Sequence, residues 1–149
     1  MDWTVRPYGA ADFPGVWAME QNGFKAGYPS AVVVRQAAEL YPETFLVVAD
    51  STGPAGFVIA ASSSEPSVGW ILRLKVREDC RRLGCGRALL QAALERLCHG
   101  GVKRVRLTVA PGNVPALALY RDLGFVEEAR LADYFGPGED RLLLAYPPP

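Results

Sequence analysis

The chain has 149 residues, half of them hydrophobic and 21% charged, and its 16 basic side chains balance 16 acidic ones. This is the size and composition of one globular domain able to bury a proper core, which excludes a disordered chain. The even charge argues against nucleic acid or a membrane surface as the main partner, and the longest apolar runs (Ala31 to Val34, Leu142 to Ala145) are far too short to span a bilayer. No basic segment leads into an apolar one at Met1-Asp2-Trp3-Thr4, so no secretory signal is visible and the expectation is a soluble, cytoplasmic protein. One domain is expected over residues 1–149, ending in a proline tail at 147–149.

Trp3 to Tyr8 reads as a first strand, and Asp12 is placed to cap a helix with Pro14 in its first turn. Phe13, Val16, Trp17 and Glu20 fall on one stripe of that helix. A loop over Gly23 to Pro29, carrying Phe24 and Tyr28, leads to a second helix capped by Ser30 and running to Leu40. Strands Phe45 to Ala49 and Gly56 to Ala61 flank the turn Asp50-Ser51-Thr52-Gly53-Pro54. A polar turn, Ser62 to Ser67, precedes a long strand from Val68 to Arg77. A helix over Ala88 to Leu97 shows an apolar stripe (Leu89, Leu90, Ala93, Leu94, Leu97) and stops at Gly100-Gly101. Val102 to Ala110 alternates: Val105, Leu107 and Val109 face one way, Arg104, Arg106 and Thr108 the other. Asn113 caps a short helix with Ala116, Leu119, Tyr120 and Leu123 on one face, ended by Gly124. Phe125 to Leu131 and Arg141 to Ala145 form a closing strand pair around the loop Ala132 to Gly138, giving the order β-α-α-β-β-β-α-β-α-β-β.

Three cysteines (Cys80, Cys85, Cys98) are a poor disulfide framework, and their spacing with His99 matches no zinc pattern, so no metal site is expected. His99 reads as a helix-end residue. Cys85 stands beside Arg82 near a helix start, which would lower a thiol pKa; the preferred reading is a small hydrophobe between two glycines.

The most informative stretch is Arg81-Arg82-Leu83-Gly84-Cys85-Gly86-Arg87, between a strand and a helix. Glycines there let the backbone approach a ligand, and the first N–H groups of a helix have no partner within it. The helix dipole favours negative charge at that end, and the arginines match phosphate geometry. Such a loop is an anion cradle.

Arg81-x-x-Gly84-x-Gly86 after the fourth strand, in this element order, resembles the GNAT superfamily of acyl-CoA-dependent N-acetyltransferases. Leu74-Lys75-Val76 and Asn113-x-x-Ala116-x-x-Leu119-Tyr120-x-x-x-Gly124-Phe125 fall into the same pattern. The resemblance implies a single α/β domain with a mixed central sheet and helices on both faces. It implies acetyl-CoA as co-substrate, its pyrophosphate in the glycine loop and its pantetheine arm along the fourth strand, which splays from the fifth to open the acyl channel. Carried over by residue, it implicates Leu74, Lys75, Val76, Arg81, Arg82, Leu83, Gly84, Cys85, Gly86, Arg87 and Asn113, mostly through backbone amides. Tyr120 takes the position of the general acid that protonates the leaving thiolate, although by spacing alone it belongs to its helix's apolar face. Within the superfamily, Arg130-x-x-x-Tyr134-Phe135-Gly136-Pro137-Gly138-Glu139-Asp140-x-Leu142 is most similar to protein N-terminal acetyltransferases, especially the bacterial enzymes that acetylate a ribosomal protein's N-terminal alanine. Tyr134 and Phe135 then wall the peptide site, or else pack the last hairpin.

One departure stands out. Twelve positions before the tyrosine those ribosomal-protein enzymes place a glutamate base, and this chain has Thr108, which still points toward the expected acceptor site. Glu20 and Glu65 are the alternative carboxylates by position. A base matters less for an α-amine, with a pKa of about 7.7–8.0, than for lysine at about 10.4, whose deprotonation near pH 7.4 costs about 4 kcal/mol. The expectation is acetyl transfer to a peptide N-terminus by a monomer or homodimer. The alternatives are a small-molecule amine acetyltransferase and a non-catalytic acyl-CoA-binding module.

Overall fold

Seven strands and four α-helices form the described part of the chain in the expected order; the computed structural model describes residues 2–21 and 27–147. The elements are β1 (Thr4–Pro7), α1 (Phe13–Gln21), α2 (Gly27–Leu40), β2 (Phe45–Asp50), β3 (Gly53–Ser62), β4 (Val68–Val76), α3 (Cys85–His99), β5 (Arg104–Val109), α4 (Val114–Asp122), β6 (Val126–Leu131) and β7 (Arg141–Tyr146). They make one mixed sheet, β1-β2-β3-β4-β5-β7-β6, in which β4 and β5 are parallel and every other pair is antiparallel. Among the described residues no helix is long and apolar enough to cross a membrane.

Strands β2 and β3 are near-continuous apolar runs because both faces of the sheet are covered there. On one face Leu46, Val48, Val58 and Ala60 meet Leu89, Leu90, Ala93 and Leu97 of α3. On the other, Phe45, Val47, Phe57 and Ile59 meet Val16 and Met19 of α1 and Val34 and Ala37 of α2. The alternation in β5 is as read: Val105, Leu107 and Val109 enter the α3 core together with Leu117 and Tyr120 of α4. The opposite face of β5 carries Arg104 and Arg106, both paired with Glu128 of β6.

Several boundaries differ from expectation. Asp12 does not cap α1; its buried carboxylate takes two hydrogen bonds from Arg6, at 2.7 and 2.8 Å, and one from the Gly9 N–H. The Arg6 guanidinium holds that carboxyl below its usual pKa. Helix α2 begins at Gly27 rather than after Ser30, with Pro29 in its first turn, where its missing N–H breaks no helical bond. Residues 22–26, most of the expected loop, and 148–149 of the proline tail lie outside the described residues. Helix α3 starts at Cys85, so Gly86 and Arg87 belong to its first turn.

Gly56 is where β3, β4 and α3 come closest. A Cβ there would stand 2.9 Å from the Lys75 carbonyl oxygen, 3.1 Å from Val48 and 3.2 Å from Leu89. Backbone cannot yield as a side chain does, so Gly56→Ala is expected to lower stability by about 1–3 kcal/mol, read as a shift in the chemical-denaturation midpoint.

Candidate active site

The site originates in a short pairing. Parallel strands β4 and β5 share three positions, Val68 with Arg104, Gly69 with Val105 and Trp70 with Arg106, and then part. Just beyond, β4 carries a bulge: Ala60 of β3 faces Ile71 while Ile59 faces Arg73, leaving Leu72 as the extra residue. A bulge bends its strand and resets the side-chain alternation. Ile71, Leu74 and Val76 consequently pack beneath α3, while Arg73 and Lys75 turn to the α1 face and donate to the Glu20 carboxylate and the Glu20 backbone carbonyl. Between the separated strands, α4 and the β6–β7 loop lies a cavity of about 680 Å³.

The glycine junction stands at one end of this gap. Gly84 caps α3 with φ 84°, and Arg82 adopts φ 66°, a conformation that costs a non-glycine residue about 1–2 kcal/mol. Successive turns of this kind gather backbone N–H groups into an anion-binding concavity, here feeding into the unpaired N–H groups of the first turn of α3. Arg81 donates from Nε to the Val76 carbonyl oxygen at 3.2 Å, tying the loop to the end of β4. Leu83 is exposed. Arg87 pairs with Asp122 of α4, so its guanidinium joins two helices. A Cβ at Gly86 would stand 3.3 Å from Leu119 and 3.6 Å from Val76, so this glycine permits close packing of α3 on α4 and β4. Cys85 is buried, and burial pushes its thiol pKa up, assisted by Cys80 and Asp50. Arg82 therefore does not activate it, and the small-hydrophobe reading fits.

Tyr120 and Asn113 approach the gap from α4. Asn113 caps the helix as expected, its side-chain oxygen accepting from the Ala116 N–H at 3.3 Å, and it also lines the cavity. Tyr120 is almost fully buried, packs its ring 5.8 Å from that of Phe125, and reaches the same cavity. Tyr120 belongs to the core, as its spacing implies, and also lines the gap. Burial pushes its pKa up to about 12, so the hydroxyl stays protonated at neutral pH. Thr108 lines the cavity from β5, on the face opposite Leu107.

The β6–β7 loop is built by its own aspartates. Asp133, with φ 51°, accepts from the Gly138 N–H at 2.7 Å; Asp140 accepts from the Asp133 N–H at 2.9 Å and from Arg130 at 3.1 Å. These bonds hold the Asp140 carboxyl below its usual pKa. The loop presents Phe135, 60% exposed, to the cavity, while Tyr134 stands edge-on against it at 4.9 Å and does not line the cavity itself. Glu139 and Arg141 line the cavity too, paired at 3.1 Å, with the Arg141 guanidinium 4.9 Å from the Phe135 ring centre.

Neither alternative carboxylate reaches the cavity. Glu20 is fully buried, its Oε1 bound to Arg73 Nε at 2.8 Å, and Glu65 sits in the turn before β4, at the paired end of that strand. Sequence reasoning missed Leu72, Arg73, Glu139 and Arg141 as cavity residues. Arg73 alternating with Lys75 marked a shared polar face, but nothing local announced the bulge that turns this face toward the gap.

Residues 11–125 match the acetyltransferase (GNAT) family. The chain is 29% identical over 142 residues to the uncharacterized N-acetyltransferase MJ1530 of Methanocaldococcus jannaschii, covering 94% of this chain and 88% of that protein. It is 27% identical over 147 residues to the [ribosomal protein bS18]-alanine N-acetyltransferase of Salmonella typhimurium, covering 97% of each. The crystal structure of Ard1 from Thermoplasma volcanium superposes with a TM-score of 0.90 at 26% identity, covering 100% of this chain and 99% of that one. The split between β4 and β5, the glycine junction and the extent of these matches lead to one conclusion: the chain belongs to the acetyltransferase (GNAT) family and is an acyltransferase that uses acetyl-CoA as co-substrate.

Proposed function

We propose that this protein transfers acetyl from acetyl-CoA to the N-terminal α-amine of a peptide or protein. The observation that carries the reading is the gap beyond Trp70 and Arg106: Tyr120 borders it from the α4 side, and Thr108, Phe135 and the cationic side chains of β4 border it from the other. The similarity to an enzyme named for acetylating a ribosomal alanine supports the choice of acceptor.

In this reading the phosphates of coenzyme A lie on the N–H groups of the Arg81–Arg87 junction, the pantetheine arm follows the backbone of Leu74, Lys75 and Val76, and Asn113 borders the arm from α4. The amine nitrogen attacks the thioester carbonyl carbon, and a β4 backbone N–H stabilises the oxygen as charge builds there. The C–S bond then breaks. Tyr120 gives its proton to the departing sulfur, and the proton lost by nitrogen passes through water back to the tyrosine oxygen. Full transfer from a group near 12 to an ordinary thiolate at about 8.5 is uphill by about 5 kcal/mol. The tyrosine therefore acts while the bond is breaking, and is reprotonated as nitrogen releases its own proton. Thr108 bounds the acceptor without serving as a base. Arg73 and Lys75 disfavour a protonated amine beside them, which raises the neutral fraction that reacts.

The direct test follows coenzyme A release with two matched peptides, one with a free N-terminal Ala and no lysine, the other with a blocked N-terminus and one lysine. Turnover of the first alone is expected; turnover of the second alone contradicts the α-amine reading, and silence with both points to a small amine or to a non-catalytic module.

Tyr120→Phe should lower kcat by about 10²–10⁴-fold with acetyl-CoA affinity kept. In the unmodified protein kcat/KM should rise with pH through the amine's pKa of about 7.7–8.0 and then stay level to about pH 10. The plateau follows from sign: a tyrosine pKa raised to about 12 keeps the protonated acid throughout that range. A descending limb near pH 9 that disappears in the Phe variant, or less than about a threefold loss in that variant, contradicts the role given to Tyr120; a limb that persists in it belongs to Lys75, whose pKa burial lowers.

A further inference from the structure

On the acceptor side, we propose that the protein selects peptides carrying an acidic side chain at the first or second position, read by a cationic wall of Arg73, Lys75 and Arg141. The inference rests on the N-terminal acetylation reading. Among the described residues that line the cavity, these three are cationic and Glu139 alone is a carboxylate. All three cations leave the sheet on the α1 face: Arg73 and Lys75 because the Leu72 bulge turns them there, Arg141 because its neighbours Leu142 and Leu144 fill the opposite core. Thr108 shares that face, so the cations surround the place where the acceptor amine must stand.

The nearby carboxylates do not cancel this wall. Glu20 lies buried behind Arg73 and fixes its position, and Glu139 pairs with Arg141, so the described lining of the cavity still carries three cations to one carboxylate. Arg73 and Arg141 both line the cavity, and 35% and 20% of their side chains remain accessible. A peptide carboxylate placed there gains charge-assisted hydrogen bonds in a part-buried setting, whereas an arginine or lysine side chain meets like charge. The absence of a glutamate at 108 fits the same logic, because a carboxylate there would repel such an acceptor.

The experiment measures kcat/KM for otherwise identical lysine-free peptides beginning Ala-Glu, Glu-Ala, Ala-Ala and Ala-Arg, with free glutamate as a further acceptor. The better acidic peptide is expected to exceed Ala-Ala by about tenfold and Ala-Arg by more, the advantage shrinking as salt is raised. Lys75→Met keeps the side-chain volume and the backbone; it should cut the acidic advantage, taken as the ratio to Ala-Ala measured with the same variant, to about threefold or less, whereas a merely structural effect lowers both peptides alike. Equal or better turnover of Ala-Arg overturns the proposal, as does an acidic preference that Lys75→Met does not move. Free glutamate matching the best peptide overturns it as well, by assigning the wall to a small acidic amine. Loss of acidic preference with Ala-Ala still turned over leaves N-terminal acetylation standing; silence with every peptide removes both.

Discussion

Strands β4 and β5 pair at only three positions, and the rest of the site depends on where that pairing ends. A parallel sheet normally closes its own backbone, so an opening between neighbours requires something to hold the strands apart. Here Leu72 bulges out of β4 on the side of the gap, while each strand remains anchored by its other partner: β4 by seven paired positions with β3, β5 by five with β7. The opening is therefore a fixed feature of two well-supported half-sheets. In the proposed reading a thioester on the α3 and α4 side meets an amine on the α1 side through it, with each substrate keeping its own binding surface.

Charge is arranged around that opening with the same economy. Glu20 is fully buried, yet it is bound to Arg73, and breaking such a pair by removing one partner typically costs about 3–5 kcal/mol. Its effect on the site is indirect: it holds a guanidinium at the rim of the cavity. Asp133 and Asp140 do similar work in the β6–β7 loop, where backbone and side-chain bonds fix the turn that carries Phe135. Among the described residues the two non-glycines with positive φ are Arg82 and Asp133, one in each loop bordering the gap. Strain of that kind persists only where surrounding bonds over-determine it, and both loops supply such bonds.

The parts of this arrangement written locally were legible in the sequence. The alternation of Val105, Leu107 and Val109, the Asn113 cap and the stop at Gly100-Gly101 each involve residues a few positions apart, and each stands as read. What escaped reading depends on distant partners. Asp12 looked like a cap because nothing local revealed that Arg6 would claim its carboxylate. Gly86 looked like loop because glycine disfavours helix interiors; packing against Leu119 and Val76 overrides that propensity. The bulge at Leu72 has no sequence signature, so the shared face of Arg73, Lys75, Glu139 and Arg141 emerged only with the fold.

The most direct test of the account is a crystal structure with a bisubstrate conjugate, in which the sulfur of coenzyme A is joined through an acetyl linker to the N-terminal nitrogen of an Ala-Glu peptide. The conjugate is expected to thread the gap between β4 and β5, with its phosphates on the Arg81–Arg87 junction and its sulfur within hydrogen-bond reach of the Tyr120 hydroxyl. The peptide should run along the face bearing Arg73, Lys75 and Phe135. A conjugate lying wholly on one face of the sheet, or with its sulfur remote from Tyr120, would contradict it.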